Sequence, residues 1–244
     1  MSKNLIYIVA IDGPTTIPNS DYAKYSIDSW EKYCDKYGID LLVLTESNPN
    51  ITYPIWNKEL IYMYGKKYDK IGIVDSDTII KPDAPNIFDL FESDEFCGVN
   101  DLCDLNWLLS SIEQRQHFFP GVNLDLNKYL NAGVLFFGNK YLSIFEDLYW
   151  FYQENSRKID SIKGGGREQT LLNFVIQSND VKVQLLDPSW NLLSIHRKNM
   201  FIHNWQLNIS ETPYFIKYAY IWHFTGFPIE DRVEVMRQVH EYIN

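Results

Sequence analysis

The first third of the chain alternates between short apolar runs and longer segments whose apolar residues recur at helical spacing. Short apolar runs that end at turn residues are typical of buried strands, and the longer segments are typical of helices. In chain order the five segments read NLIYIVAI, SDYAKYSIDSWEKYCDKYG, IDLLVLTE, IWNKELIYMYGKKY and KIGIVDS. Strand, helix, strand, helix and strand in this order predict an α/β sheet with right-handed crossovers.

The remainder of the chain alternates less regularly. We expect residues 101–130 to form a long loop or a small helical insertion, and the glycines at 164–166 to form a hinge. Strands are predicted at TIIKP, EFCGVN, AGVLFFGN and VKVQLLDP, a helical turn at PNIFDLF, and helices at KYLSIFEDLYWFYQENSRK, REQTLLNFVIQSN and IEDRVEVMRQVHEYI. Because no repeat, linker or low-complexity tract interrupts the chain, we interpret 1–244 as a single domain.

Composition excludes several classes of protein. The formal net charge of −10 repels phosphate backbones, so nucleic acid is a poor candidate for a partner. Three cysteines without tight spacing argue against a disulfide framework or a zinc ribbon, and reduced thiols are typical of the cytosol. The N-terminal apolar run is too short for a signal peptide, and no segment approaches the roughly 20 apolar residues of a membrane span. We therefore expect a cytoplasmic protein without a transmembrane segment.

Two aspartates, Asp75 and Asp77, flank a serine where the third predicted strand ends. The carboxyl ends of strands in open α/β sheets are where such sheets bind ligands. Two carboxylates this close are unfavourable unless a cation or a shared proton relieves their repulsion. Three interpretations fit: a divalent metal held against a nucleotide diphosphate, a haloacid-dehalogenase-type phosphatase with Asp75 as nucleophile, or a turn that ends the strand. The phosphatase is the weaker alternative because Thr78-Ile79 replaces the expected Gly-Thr.

Several short stretches, in order, resemble one family of enzymes. VDSDTII resembles the Asp-x-Asp strand of fold-A (GT-A) glycosyltransferases, and DYAKYSIDS, NKELIYMYGKKYDKIGIVDSD, NAGVLFF, GGREQTLLNFV, SWNL and WHFTG resemble further motifs of the glycogenin and lipopolysaccharide-galactosyltransferase type. The ordered set covers most of the chain, which makes the resemblance specific. It implies one GT-A domain with a mixed central sheet between helices, a nucleotide-binding part over about 1–100 and an acceptor-side part over about 101–244.

The resemblance also implies site residues. A histidine at the end of an apolar run is, on its own, more often a core or cap residue. Within the resemblance, His223 becomes the third ligand beside Asp75 and Asp77 for Mn²⁺ or Mg²⁺, and an imidazole nitrogen suits Mn²⁺. The implied catalytic, sugar-facing residues are Asn131, Glu168 and Gln169. The implied donor-binding residues are Ala10, Asp12, Tyr22, Lys58, Asp75, Ser76, Asn131, Ala132, Gly133 and Gly226.

Each of these residues also has an ordinary structural interpretation. Asn131 and Gly133 suit a turn, a carboxylate such as Glu168 in a first helical turn complements the helix dipole, and Lys58 suits a solvated helix face. In addition, the family has Asp where this chain has Glu168, and the longer side chain leaves its role open.

The implied activity is transfer of a hexose from a nucleotide-diphosphate sugar, most simply a UDP-sugar, to an acceptor hydroxyl on a glycan or glycoconjugate, with retention. Alternatives are the phosphohydrolase named above and a non-catalytic module that binds sugar nucleotides or glycans. One departure bears on this choice. The family motif His-x-x-Gly-x-x-Lys ends in a lysine that binds the diphosphate, and this chain has Ile229 there. Arg232, Arg197 and Lys217 are the candidate replacements.

Overall fold

The computed structural model describes residues 3–12, 20–179, 181–193 and 214–244, and all structural statements refer to these ranges. The strands are β1 (Asn4–Val9), β2 (Asp40–Leu44), β3 (Lys70–Asp75), β4 (Thr78–Ile80), β5 (Phe96–Asn100), β6 (Leu130–Gly138), β7 (Val183–Leu185) and β8 (Ile221–His223). The helices are α1 (Ser20–Tyr37), α2 (Ile61–Tyr64), α3 (Leu105–Arg115), α4 (Leu142–Ser161), α5 (Arg167–Ser178), α6 (Tyr214–Tyr218) and α7 (Ile229–Ile243).

Six of the strands form a mixed central sheet in the order β2-β1-β3-β6-β5-β7. The strands β1, β2 and β3 are parallel, as the alternation of the first segments predicts. The strand β6 runs antiparallel to both of its neighbours, β3 and β5, and β7 is parallel to β5. The remaining strands, β4 and β8, pair antiparallel as a separate two-stranded ribbon. The predicted α/β class with a mixed sheet is confirmed.

The sheet is covered on both faces because successive side chains of a strand point to opposite sides. From β1, Leu5 and Tyr7 enter the core beneath α4 and α5, whereas Ile6 and Ile8 enter the core that contains Trp30 of α1. Burial of these apolar side chains is the main favourable term in folding. Within the described ranges, no helix has both the length and the apolar composition that crossing a bilayer requires.

A third apolar cluster fixes the β4–β8 ribbon. Ile79 of β4 and Trp222 of β8 are fully buried against α1 and α7, where Ala23 and Met236 contribute to the same cluster. Because side chains alternate along a strand, burying Trp222 on one face of the ribbon turns its neighbour His223 to the other face. This cluster therefore places the ends of two strands beside the carboxyl end of β3.

Three sequence predictions are refined by the structure. The predicted helix IWNKELIYMYGKKY is a 3-10 helix over Pro54–Leu60, the short α2, and a 3-10 turn over Gly65–Lys67. The Asn57 side chain donates to the Pro54 carbonyl at 2.8 Å, which competes with regular helical hydrogen bonding. The strand β2 is half-buried throughout rather than buried, because it lies at the sheet edge. Residues 101–130 contain a true helix, α3, whose N-cap is Asp104.

The glycine segment 164–166 is packed against α3. A Cβ on Gly165 would lie 2.5 Å from Trp107 Nε1, so the backbone passes directly beneath the indole. The buried Arg115 of α3 donates to the Gly165 carbonyl at 3.1 Å. Gly166 precedes α5 with a φ of 73°, a left-handed conformation that favours glycine. These contacts fix where α5 begins and therefore where its first-turn residues point.

The two sides of α4 lead to a test of the packing. Leu148 is fully buried beneath the sheet, whereas Trp150, two residues later, is 54% exposed. Leu148→Ala should lower the free energy of unfolding by about 2–5 kcal/mol, since it removes a buried side chain and leaves a cavity. The control Trp150→Ala should change it by about 0.5 kcal/mol or less. Urea unfolding of both variants measures the difference, and similar losses would show that α4 is wrongly oriented.

Candidate active site

The three predicted metal ligands lie at neighbouring strand ends. The strand β3 ends at Asp75, the turn into β4 contains Asp77, and β8 ends at His223. In the β4–β8 pair Thr78 lies opposite His223, and the Phe224 N–H donates to the Asp77 carbonyl at 2.9 Å. The Thr78 hydroxyl donates to the Asp75 carbonyl at 2.7 Å, which holds the turn between the aspartates. Strand pairing thus joins residues that are distant in sequence.

The ligand atoms converge on one point. One atom each from Asp75, Asp77 and His223 lie within 4.8 Å of one another. Asp77 Oδ1 lies 3.2 Å from His223 Nε2, and the buried Nε2 atom forms no geometrically regular hydrogen bond among the described residues. A Cβ on Gly133 would lie 2.7 Å from Asp75 Oδ2 and 3.0 Å from His223 Nε2. Two carboxylates, an available imidazole nitrogen and a glycine that leaves room fit Mn²⁺ or Mg²⁺.

Lys58 connects the metal ligands to the predicted sugar-facing residues. Its ammonium lies 2.5 Å from Asp75 and 3.2 Å from Glu168, and it donates to the Ala132 carbonyl at 3.3 Å. Burial alone would lower the pKa of Lys58, but the Asp75 and Glu168 carboxylates outweigh it and raise that pKa above its usual range. Lys58 is therefore a buried cation inside the site and not the solvated lysine of an exposed helix face.

Arg232 of α7 is a second cation at the site. Its guanidinium lies 3.0 Å from Asp77 Oδ2. Burial opposes ionisation of Asp77, but first Arg232 and then His223 outweigh it and hold the pKa of Asp77 well below its usual range. Among the other candidates for the missing lysine, Lys217 is exposed on α6, and Arg197 lies outside the described residues. The geometry therefore favours Arg232.

A cluster of amides lies on the other side of the metal ligands. Gln169, in the first turn of α5, accepts from the Ala132 N–H at 3.0 Å and from the Asn131 amide at 3.1 Å. The Asn131 and Gln169 amides both donate to Asp101 Oδ2, at 3.0 and 3.1 Å. Glu168 precedes Gln169 and is buried beside Lys58. The structure thus brings the three predicted catalytic residues together.

Two cavities meet at Asp75. The larger one, of about 320 Å³, is lined by the predicted residues Asp75, Asn131, Gly133, Glu168, Gln169, His223 and Gly226, and also by Asp101, Asp104 and Trp107. The smaller one, of about 150 Å³, is lined by the predicted residues Tyr22, Lys58, Asp75, Ser76 and Asp77. The metal ligands therefore lie between two spaces, each of which can accept part of an extended ligand.

Three of the predicted donor-binding residues, Ala10, Asp12 and Ala132, line neither cavity. Val9 and Ile11 line the smaller cavity, whereas Ala10 and Asp12 do not. The Ala132 side chain is buried in the core with α4 and α5, and only its backbone groups face the site. Contact of these three residues with a donor stays a prediction.

Sequence reasoning missed three residues of the site. Asp101 directly follows β5, so the rule that led to Asp75, an acid at a strand end, could have found it. Asn191 is 1% exposed and belongs to SWNL, one of the stretches that carry the resemblance, but its hydrogen bond to His223 is a tertiary contact that the motif does not reveal. Glu59 is 1% exposed beside Lys58, and nothing in its neighbourhood in the sequence distinguishes it from a surface glutamate.

Glu59 adds a buried carboxyl beneath the site. Burial, followed by repulsion from the Glu168 carboxylate, raises the pKa of Glu59 well above its usual range. Its Oε2 atom has no hydrogen-bond partner among the described residues. Both observations favour the neutral form, because an ionised carboxylate without a partner is costly to bury.

The chain has a GT-A fold, and solved structures show this. A glycosyltransferase involved in the glycosylation of the major capsid of PBCV-1 matches with a TM-score of 0.61 and 15% identity, over 96% of this chain and 99% of that chain. The galactosyltransferase LgtC, in complex with donor and acceptor sugar analogues, matches with a TM-score of 0.56 and 12% identity, over 98% and 95%.

The bifunctional glycosyltransferase WbbM matches with a TM-score of 0.60 and 16% identity, over 99% of this chain but 52% of that chain. No protein-family profile and no curated protein matches the sequence. The chain therefore has the fold of these glycosyltransferases, as its resemblance to their motifs predicts.

Glu59 generates a pH-dependent prediction. Above about pH 4.3, an unfolded glutamate releases its proton. The folded chain keeps the proton on Glu59 to higher pH, so the folded state binds more protons and loses stability as pH rises towards the folded-state pKa. Glu59→Gln imitates the protonated form and should gain stability over the native chain from pH 5 to pH 8, by up to about 1.4 kcal/mol per pH unit.

Urea unfolding of both proteins across this pH range measures the stability gap, which is the difference between their free energies of unfolding. The exposed control Glu92→Gln should show a gap that stays constant with pH. A constant or shrinking gap for Glu59→Gln would mean that Glu59 is ionised in the folded chain.

Proposed function

We propose that this protein is a metal-dependent glycosyltransferase that moves a hexose from a UDP-sugar to an acceptor hydroxyl, with retention at the anomeric carbon. One observation carries the proposal. Asp75, Asp77 and His223 converge where two cavities meet, in a chain with the fold of glycosyltransferases. A divalent ion held by these three residues would lie between a space for a nucleotide and a space for two sugars.

The smaller cavity suits the nucleotide. Tyr22 contributes an aromatic ring to it, and aromatic rings stack on flat bases. Burial raises the pKa of Tyr22 to about 12, so its hydroxyl stays neutral and can donate a hydrogen bond at physiological pH. Asp75 and Ser76 lie in the same cavity beside the metal ligands. A nucleotide placed here directs its diphosphate towards Asp77 and Arg232.

Charge balance supports a diphosphate at this point. Asp75, Asp77 and Glu168 carry three negative charges against the two positive charges of Lys58 and Arg232. Mn²⁺ or Mg²⁺ held by the two aspartates and His223 would neutralise the diphosphate as it leaves. With such an ion bound, Asp77 would no longer depend on Arg232 for a compensating charge. The Arg232 guanidinium would then be available to a phosphate, for which its planar donors are well suited.

The residues of the larger cavity suit the hexose and the acceptor. Asn131 and Gln169 present amides to it, while the Lys58–Glu168 pair fixes the Glu168 carboxylate. In the proposed reaction the bond from the anomeric carbon to the diphosphate oxygen breaks, and the acceptor oxygen bonds to that carbon. The hydroxyl proton passes to the leaving diphosphate. The protein contributes positioning and electrostatic stabilisation to this step.

We place the acceptor at the outer part of the larger cavity. Trp107 offers an aromatic face and Asp104 a carboxylate, a combination that suits the ring and hydroxyls of a glycan or glycoconjugate. Residues 101–244, including α3, would then form the acceptor side, and residues 1–100 most of the nucleotide side.

The cysteines Cys34, Cys97 and Cys103 are all free, which supports a cytoplasmic location.

A donor screen tests the proposal. Release of free sugar from UDP-glucose, UDP-galactose, UDP-N-acetylglucosamine and GDP-mannose should occur for one donor and require Mn²⁺. A non-catalytic module would bind a donor without releasing sugar. A phosphohydrolase would instead release phosphate and accumulate a phosphoenzyme on Asp75.

Calorimetry tests the metal site separately. Mn²⁺ should strengthen UDP binding, and Asp77→Asn should reduce that gain at least about tenfold, or 1.4 kcal/mol, because a ligand carboxylate is lost. The exposed control Asp83→Asn should keep the gain. A full gain in Asp77→Asn would contradict the proposed metal site.

Substitution of Arg232 should change the affinities for Mn²⁺ and for UDP in opposite directions. Arg232→Ala should bind Mn²⁺ at least as tightly as the native protein, because a cation that competes for Asp77 is removed. The same variant should bind UDP in the presence of Mn²⁺ about tenfold more weakly or worse, because a phosphate partner is removed. Arg232→Lys should recover part of the UDP affinity.

The control for Arg232 lies on the same helix. Arg237 pairs with Glu234 and Glu241 on the exposed side of α7, and Arg237→Ala should leave both affinities unchanged. If Arg232→Ala weakens both affinities alike, the residue supports the structure of the site and does not bind the diphosphate.

A further inference from the structure

We propose that Asn191 is a positioning residue that fixes the tautomer of His223 and so prepares its Nε2 atom to bind the metal. This inference rests on the metal site of the proposed function, but not on the donor or the reaction. Its basis is a continuous series of hydrogen bonds that begins at backbone N–H groups and ends at the His223 ring.

The direction of the series is set by groups that can only donate. The Gly133 N–H lies 2.9 Å from one side-chain atom of Asn131, so that atom must be the oxygen. The remaining Asn131 atom is then the NH₂ group, and it lies 3.0 Å from the Asp101 carboxylate, which accepts from it. The Ala132 N–H orients the Gln169 amide in the same way, at 3.0 Å. Two backbone donors therefore agree on how the amides are oriented.

Asn191 passes this orientation to the histidine. Asn131 Oδ1 lies 3.0 Å from Asn191, so the Asn191 atom that faces it is the NH₂ group, which donates. The other Asn191 atom is the oxygen, and it lies 3.0 Å from His223 Nδ1. Because an amide oxygen only accepts, Nδ1 must carry a proton. In the neutral ring this leaves the lone pair on Nε2, the atom that faces the two aspartates.

Backbone pairing holds Asn191 in place for this role. The next residue, Leu192, donates to the Ile221 carbonyl at 2.9 Å and accepts from the His223 N–H at 3.2 Å. Asn191 is 1% exposed and His223 is 2% exposed, so water cannot easily substitute for the amide. Residues that orient a ligating histidine typically contribute about 10- to 100-fold to metal affinity.

The tautomer can be read from the Mg²⁺-bound protein, in which Nε2 would face the ion. Long-range ¹H–¹⁵N spectra should show a proton on His223 Nδ1, as the hydrogen bond to Asn191 requires, and His223→Gln identifies the His223 signals by their loss. Asn191→Leu, which removes the acceptor at similar size, should bind Mn²⁺ about 10- to 100-fold more weakly, measured by the paramagnetic resonance of free Mn²⁺. Asn191→Asp, whose carboxylate still accepts from Nδ1–H, should keep the native ring pattern and bind Mn²⁺ better than Asn191→Leu.

A control lies at the far end of β6. The Asn139 amide donates to the carbonyls of Gly65, Lys66 and Tyr68, so Asn139→Ala loses comparable hydrogen bonds far from His223. It should lower stability and leave Mn²⁺ affinity unchanged. An unprotonated Nδ1 of His223 in the Mg²⁺-bound protein, or native Mn²⁺ affinity in Asn191→Leu, would overturn the role of Asn191. If His223→Gln itself binds Mn²⁺ normally, the proposed metal site is wrong and this inference falls with it.

Discussion

The antiparallel pairing of β4 with β8 is the contact on which the site depends. It places Thr78 opposite His223 and so brings His223 to Asp75 and Asp77, the other two predicted metal ligands. Only three residues of each strand pair, so the ribbon gains its stability from side chains and not from its own hydrogen bonds. Ile79 and Trp222 supply this stability because both are fully buried between α1 and α7. The third apolar cluster, beside the main sheet, therefore keeps Asp75, Asp77 and His223 close together.

The charged side chains of the site are already paired with one another. Lys58 pairs with Asp75 and Glu168, while Arg232 pairs with Asp77. Close pairs of carboxylates would otherwise repel one another and weaken the folded state. These two cations therefore stabilise the carboxylates where the fold brings them together. The family motif places a lysine at the position of Ile229, and Arg232 lies about one helical turn further along α7.

The sequence predicted the features that depend on neighbouring residues. The alternation of the first segments determined the parallel strands β1 to β3, and the position of Asp75 and Asp77 at a strand end indicated their shared role. The resemblance added His223, Asn131 and Gln169, which the structure brings together. Local patterns could not choose between Arg232 and Lys217, since that choice depends on where α7 lies. The 3-10 geometry of Pro54–Leu60 was missed for a similar reason, because helical spacing does not reveal the Asn57 side chain that competes for the backbone.

The amides of the site connect its two halves. Asn131 donates to Gln169 and Asp101, in the half with the predicted catalytic residues, and accepts from Asn191, in the half with the predicted metal ligands. If any one of these amides were reversed, a buried donor would face a donor or a buried acceptor would face an acceptor. Each hydrogen bond lost in this way costs about 1–3 kcal/mol. The amide orientation that satisfies Gln169 and Asp101 is therefore also the orientation in which Asn191 accepts from His223 Nδ1, while Nε2 faces Asp75 and Asp77. One set of hydrogen bonds prepares both halves before any ligand binds.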